Sequence, residues 1–291
     1  MHINDKMLTI DNIADIRIQL AGARRCGAIV GFVPTMGALH AGHESLIRHA
    51  RSQAGFVVVS IFVNPTQFGP AEDFDKYPRT LSADLELCRR AGADVVFTPS
   101  VQTMYPVPPA ATVAMPSLVG KLCGLSRPGH FAGVCLVVAK LFNIIQPDVA
   151  YFGAKDFQQA RIIRRMVEDL NFPVKIEICP TVRQEDGLAM SSRNSYLSAE
   201  HRRQAAALHG ALELAERMIR VKVNKPPAGM VIDAMLGYLA RQAPDGVVDY
   251  VKIVDPDTLE DVKDTSQGVL VALAVAFGQT RLIDNVLIDA Y

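Results

Sequence analysis

The stretch Ile29-Val30-Gly31-Phe32-Val33-Pro34-Thr35-Met36-Gly37-Ala38-Leu39-His40-Ala41-Gly42-His43 decides how the chain is read. It opens as a short apolar run, Ile29 to Val33, and is stopped by Pro34. A loop of small residues then leads into Gly42 to Gln53, whose apolar residues recur at helical spacing. A strand that is apolar on both faces suits a parallel sheet covered by helices. The same alternation continues outward. Phe56 to Val63, Ala93 to Phe97, Val149 to Phe152 and Val174 to Ile178 read as strands, and Leu81 to Ala91, Val134 to Gln146 and Phe157 to Leu170 as helices. Strand and helix in turn predict a doubly wound α/β domain. Ligands of such sheets bind beyond the carboxyl ends of the strands, so the loops there carry the chemistry.

After about Thr181 the pattern changes. Ser198 to Val221 reads as a helix with Ser198 as N-cap, broken by Asn224-Lys225-Pro226-Pro227, and Val231 to Arg241 as a second. Val247 to Val254, Gly268 to Phe277 and Arg281 to Ile288 are strand-like, with Gly278-Gln279-Thr280 as a turn between the last two. This predicts a smaller α+β domain, with a boundary between residues 1–181 and 182–291.

Composition narrows the function classes. Lys plus Arg and Asp plus Glu are 30 each in 291 residues, so no global field draws nucleic acid or an anionic membrane. The longest apolar runs fall short of the ~20 residues that span a bilayer. Asp5, Asp11 and Asp15 near the start do not suit a secretory signal. Cys26, Cys88, Cys123, Cys135 and Cys179 are scattered without a CxxC pair, which fits structural thiols in a reducing, cytoplasmic setting.

Five loops hold candidate chemistry. His40-Ala41-Gly42-His43 lies between a strand and a helix, where amides and the helix dipole favour phosphate. Its imidazoles are three residues apart, reach one side of the turn, and can donate to phosphate oxygens as a pyrophosphate leaves. With 7 His and 20 Gly in the chain, an HxGH arises by chance in roughly one such sequence in a hundred. Gly187 to Asn194 offers Ser191, Ser192 and Arg193, a set able to hold polyphosphate. Gly153-Ala154-Lys155-Asp156 follows a strand, and Lys155 can neutralise charge on a transferring phosphoryl group. Asn64 to Gly69 presents amides at a strand end, and Arg127 to Val134 is a Gly-containing loop before an apolar helix. There is no Walker A pattern, no GxGxxG after a strand, no GxSxG and no zinc-like spacing.

Taken together, the motifs resemble those of the pantoate–β-alanine ligase (pantothenate synthetase) family within the HxGH nucleotidyltransferase superfamily. The resemblance rests on PTMGALHAGH at Pro34 to His43, VVVSIFVNPTQF at Val57 to Phe68, YPRT at Tyr77 to Thr80, and RPGHFAGV at Arg127 to Val134. FGAKDFQQ at Phe152 to Gln159, DGLAMSSRNSYL at Asp186 to Leu197, and RLIDN at Arg281 to Asn285 complete it. It implies a Rossmann-like domain with a C-terminal lid, a homodimer, and Mg²⁺ used with ATP. It also implies that pantoate attacks the ATP α-phosphorus to give pantoyl adenylate, which β-alanine converts to pantothenate and AMP.

By that resemblance Met36, Gly37, Ala38, Leu39, His40, Ala41, Gly42 and His43 contact ATP, as do Gly153, Ala154, Lys155, Asp156, Val182, Met190, Ser191, Ser192 and Arg193. Gln67 and Gln159 hold pantoate, and Gln67 borders β-alanine. His43, His40, Lys155 and Arg193 carry the catalytic roles, and the metal ligands are left unassigned. Two residues depart from the family pattern: Ala154 stands where Glu is common, and Thr66 where Met is.

Overall fold

The computed structural model describes residues 7–70, 72–220 and 225–289. Asp5, Val221 and Asn224, on which parts of the sequence reading rest, lie outside the described residues. The chain forms two compact units. One contains the residues up to Val119 with Arg127–Ala154 and Gln159–Pro180, and the other contains Gly120–Ser126, Lys155–Gln158 and the chain from Thr181 onward.

The first unit is built on strands β1 (Leu8–Ile10), β2 (Val30–Thr35), β3 (Phe56–Ile61), β4 (Val95–Phe97), β5 (Val149–Gly153) and β6 (Lys175–Cys179). Its longer helices are α1 (Ile13–Arg25), α2 (Ala41–Gln53), α3 (Leu81–Ala91), α4 (His130–Ile145) and α5 (Phe157–Asp169). The strands form one parallel sheet in the order β1-β4-β3-β2-β5-β6. Val30, Phe32, Val33 and Val57 to Val59 are all fully buried, as expected for central strands covered on both faces.

Register is pinned by a device used twice. Asp94, just before β4, accepts from the Val57 amide at the start of β3 at 2.7 Å. Asp148, just before β5, accepts from the Val30 amide at the start of β2 at 2.7 Å. Each carboxylate satisfies a strand-end amide that the ladder leaves over. With Val30 opposite Phe56, β2 and β3 run in step to Thr35 opposite Ile61. The strand order reverses direction between β2 and β5, which opens a crevice at their carboxyl ends.

The structure adds β1 and α1, which the sequence reading passes over. β1 has only three residues, too few for a periodic signal. Asn12 caps α1 by accepting from the Asp15 amide at 2.9 Å. Helix α4 is apolar nearly all round and mostly buried. Its last carbonyls, Ile145 O and Gln146 O, accept from the Arg24 guanidinium.

The second unit has an antiparallel sheet of β7 (Gly246–Val254), β8 (Val269–Phe277) and β9 (Thr280–Ile288), in the order β7-β8-β9. Phe277 pairs with Thr280 across a two-residue turn that starts at left-handed Gly278. Helices α6 (Ala199–Ala205), α7 (Ala207–Ile219) and α8 (Ala228–Gln242) accompany it. Val231, Met235 and Leu239 pack into one core with Leu208, Ala211, Leu212 and the buried side chains of β8. The single helix expected from Ser198 is two helices. It tightens at Ala206 (φ −60°, ψ −23°), where buried Gln204 turns inward and exchanges hydrogen bonds with Asp245. Ser198 caps the first of the two, accepting from the His201 amide. Among the described residues no helix is long and apolar enough to cross a membrane.

An ion pair ties β9 to the loop after β6. Arg183 donates to both oxygens of Asp284, at 2.6 and 3.0 Å, and Asp284 is buried. Removing one partner of such a pair leaves an uncompensated buried charge. Arg183→Ala is therefore expected to lower stability by about 3 kcal/mol, and a urea midpoint equal to that of the unaltered protein would refute this.

Candidate active site at the strand ends

Strand β2 delivers the HxGH segment through a constrained loop. Thr35 Oγ1 donates to Ser60 O at 2.7 Å and accepts from the Gly37 amide at 3.2 Å. Gly37 (φ 84°) and Ala38 (φ 50°) are both left-handed, a conformation that costs a non-glycine residue roughly 1 kcal/mol. Asp84 of α3 offsets this strain. Its buried carboxylate accepts from the amides of Ala38 at 2.9 Å and Leu39 at 2.8 Å, and from Thr80 Oγ1 at 3.1 Å. The sequence reading places Asp84 only within a helix. Its loop-holding role depends on α3 lying beside the loop after β2.

The two histidines close the start of α2 on themselves. The Gly42 amide donates to His40 Nδ1 at 3.2 Å, and the His40 amide donates to His43 Nδ1 at 3.3 Å. Each ring therefore accepts at Nδ1, and the neutral tautomer that permits this carries its proton on Nε2. The ring centroids are 4.1 Å apart. The Gly37, Ala38, Leu39, His40 and Gly42 amides all donate within the protein.

Strand β3 ends in the amide cluster. Asn64 is fully buried and donates from Nδ2 to Gln67 Oε1 at 3.0 Å and to Gly133 O at 3.2 Å. Its Oδ1 accepts from Thr66 Oγ1 and from the Tyr105 hydroxyl, each at 3.0 Å. Gln67 Nε2 lies 3.0 Å from Met36 Sδ. The structure thus brings a residue expected at ATP against one expected at pantoate. Asn64 holds the Gln67 carboxamide by its oxygen, a role beyond the pair of amides singled out in the sequence.

The loop after β5 contains Gly153, Ala154, Lys155 and Asp156. Lys155 Nζ is 3.8 Å from Asp156 Oδ1. The backbone carbonyl of Lys155 accepts from Asn285 Nδ2 of β9 at 2.7 Å, so the buried Asn285 fixes the base of that lysine. Adjacent glutamines divide their work. Buried Gln158 accepts from the Cys123 amide and donates to Lys121 O, while half-buried Gln159 lies on the first turn of α5.

The loop after β6 folds back as a small hairpin. The Met190 amide donates to Val182 O at 2.9 Å and the Gln184 amide to Leu188 O at 2.8 Å, with left-handed Gly187 at the tip. Val182 and Met190, eight residues apart in sequence, become neighbours. Ser191 then caps the short turn Ser192–Tyr196 by accepting from the Arg193 amide at 3.3 Å.

Residues 36–43, Gln67, Gly153, Ala154 and Gln159 belong to the first unit. Lys155, Asp156, Val182 and residues 190–193 belong to the second. No group of three or more His, Cys, Asp or Glu side chains among the described residues is placed to hold a metal ion. Burial pushes the Cys88 and Cys135 thiols up to about 12 and, with Glu177 nearby, Cys179 to about 11. These thiols stay protonated at neutral pH and do not serve as nucleophiles.

Comparison with known proteins agrees with this geometry. Residues 8–287 match the family described as Pantoate-beta-alanine ligase. The chain is 53% identical over 283 residues to the pantothenate synthetase of Moorella thermoacetica, covering 97% of this chain and 99% of that one. It is 50% identical to the pantothenate synthetase of Acetivibrio thermocellus, covering 97% of this chain and 100% of that one. The crystal structure of pantothenate synthetase from Thermus thermophilus superposes with a TM-score of 0.88 at 44% identity, covering 96% and 99% of the two chains. Pantoate-beta-alanine ligase from Francisella tularensis, complexed with Beta-gamma ATP and β-alanine, gives a TM-score of 0.79 at 33% identity, covering 97% and 98%.

The Asp84 arrangement is open to test. Asp84→Ala leaves two loop amides without their acceptor and is expected to cost about 2 kcal/mol. A chemical-denaturation curve that coincides with that of the unaltered protein would contradict this.

Proposed function

The chain belongs to the pantoate–β-alanine ligase family, and from that premise we propose that it joins (R)-pantoate to β-alanine using ATP, through pantoyl adenylate. The observation that carries the reading is the paired imidazoles of His40 and His43, prepared as Nε2–H donors one strand away from the amides of Asn64 and Gln67. Phosphate donors beside an amide-lined acid site suit activation of a carboxylate by a nucleotide.

In the first step a pantoate carboxylate oxygen attacks the ATP α-phosphorus. The bond to the β-phosphate bridging oxygen breaks, and pyrophosphate leaves. His43 and His40 donate to the phosphate oxygens as charge develops, and Lys155 and Arg193 screen the approach of two anions. Gln67 and Gln159 hold pantoate through their carboxamides. Met36, Gly37, Ala38, Leu39, Ala41 and Gly42 contact ATP, as do Gly153, Ala154, Asp156, Val182, Met190, Ser191 and Ser192.

In the second step the neutral β-alanine amine, bordered by Gln67, attacks the acyl carbon. The C–N bond forms, the bond from carbon to the AMP oxygen breaks, and the amine loses its extra proton. Orientation supplies much of the rate here. The acyl adenylate hydrolyses in water, and we assign residues 182–291 the part of a lid over a Rossmann-like domain of residues 1–181. The donor set suits Mg²⁺ held mainly by the triphosphate, since Asp156 brings a single carboxylate to its loop. When bound, the ion would add charge screening at the phosphates. The working form is a cytoplasmic homodimer that takes small-molecule substrates and neither nucleic acid nor a membrane, and sedimentation at micromolar protein tests the dimer.

The reaction has a direct atomic signature. Pantoate labelled with ¹⁸O in its carboxylate should pass one labelled oxygen to AMP, and omission of pantoate or β-alanine should abolish pantothenate formation. Label found in inorganic phosphate, or a nucleotide retained in the final product, would overturn the adenylate mechanism. His43→Ala is expected to lower kcat by about 100-fold or more with the fold intact, and stopped-time AMP measurements read this out.

A further inference from the structure

The chemistry above leaves the segment Arg127 to Val134 unused, yet His130 reaches the Gln67 backbone and Gly133 packs on residues 66–67, all within the first unit. His130 is buried. Its Nδ1 is 2.8 Å from the backbone oxygen of Gln67, and its Nε2 is 3.0 Å from Arg127 Nη1. A guanidinium only donates and a carbonyl only accepts. One protonation state satisfies both bonds: the neutral ring with its proton on Nδ1 and a bare Nε2. This is the opposite tautomer from that of His40 and His43.

Arg127 is itself oriented. Its Nε and Nη2 donate to the two oxygens of Glu72 at 2.8 and 2.5 Å. Close packing completes the arrangement, since a Cβ on Gly133 would fall 2.1 Å from Thr66 O. The first turn of α4 therefore lies directly on the backbone of residues 66–67, while Asn64 holds the Gln67 carboxamide.

We propose that Glu72, Arg127 and His130 form a relay that positions Gln67, with His130 kept as its Nδ1–H tautomer. Glu72 aims the guanidinium, the guanidinium occupies Nε2, and the remaining proton is directed at the Gln67 carbonyl. The three are positioning residues, because they act on the substrate only through Gln67. The proposal rests on the reading that Gln67 binds the acid substrate.

Two measurements test it. In enzyme carrying ¹⁵N-histidine, long-range ¹H–¹⁵N correlations should show His130 protonated at Nδ1 and bare at Nε2. An Nε2–H tautomer or an imidazolium at neutral pH would overturn the relay. In steady-state kinetics, His130→Ala should raise KM for pantoate by about tenfold to a hundredfold, with KM for ATP within about twofold of the unaltered enzyme. His130→Asn, whose side-chain N–H stands where Nδ1–H stood, should restore most of the loss, and His130→Gln should not. In a Gln67→Ala background, His130→Ala should add no further change. Additive losses in that cycle, or equal losses in the Asn and Gln variants, would show a general packing role and refute positioning. Absence of pantoate-dependent AMP formation by the unaltered enzyme would instead refute the ligase reading, which the tautomer measurement does not depend on.

Discussion

Strand β2 is hydrogen-bonded on both edges, to β3 and to β5, and the register of those ladders sets where each loop of the site begins. A one-residue slip would turn every inward side chain outward. Asp94 and Asp148 oppose such a slip by capping single amides at the strand starts. At the other end of the strands, the reversal of order between β2 and β5 separates their connections and leaves a crevice. The HxGH loop follows β2, the amide cluster follows β3, and the lysine loop follows β5.

Capping and chemistry are the same interactions at the start of α2. A capped helix end and an anion site are often treated as alternatives, because both use the same amides. Here the caps are imidazoles, and using their Nδ1 atoms as acceptors places the protons on Nε2. His130 meets the opposite demand, with a carbonyl at Nδ1 and a guanidinium at Nε2. Partners, and not the residue type, decide which nitrogen carries the proton.

Much was legible in the chain because the signals are local. Pro34 closes the apolar run Ile29 to Val33, although β2 stays paired through Pro34 to Thr35; the apolar stretches on both sides of HxGH demand a covered parallel sheet, and the order of motifs identifies the family. The elements that escaped reading lacked such signals. β1 has three residues, and the tightening at Ala206 lies in a run of alanines that gives no local cue. The roles of Asp84 and Asn285 were unreadable for another reason. Each acts on backbone atoms supplied by a different segment, and Asn285 reaches Lys155 across 130 positions of sequence.

The amino-acid sequence by itself determined the α/β class, the smaller α+β portion, the family, and the residue types that handle phosphate and amide recognition. Those follow from hydrophobic period, turn residues and motif order, which are properties of neighbouring residues. Only the tertiary structure decided that the loop amides of residues 37–39 are spent on Thr35 and Asp84, that Met36 rests against Gln67, and which nitrogen of each histidine donates. A hydrogen bond's direction depends on the partner that folding brings opposite, and for the HxGH loop that partner lies on a helix more than forty residues away.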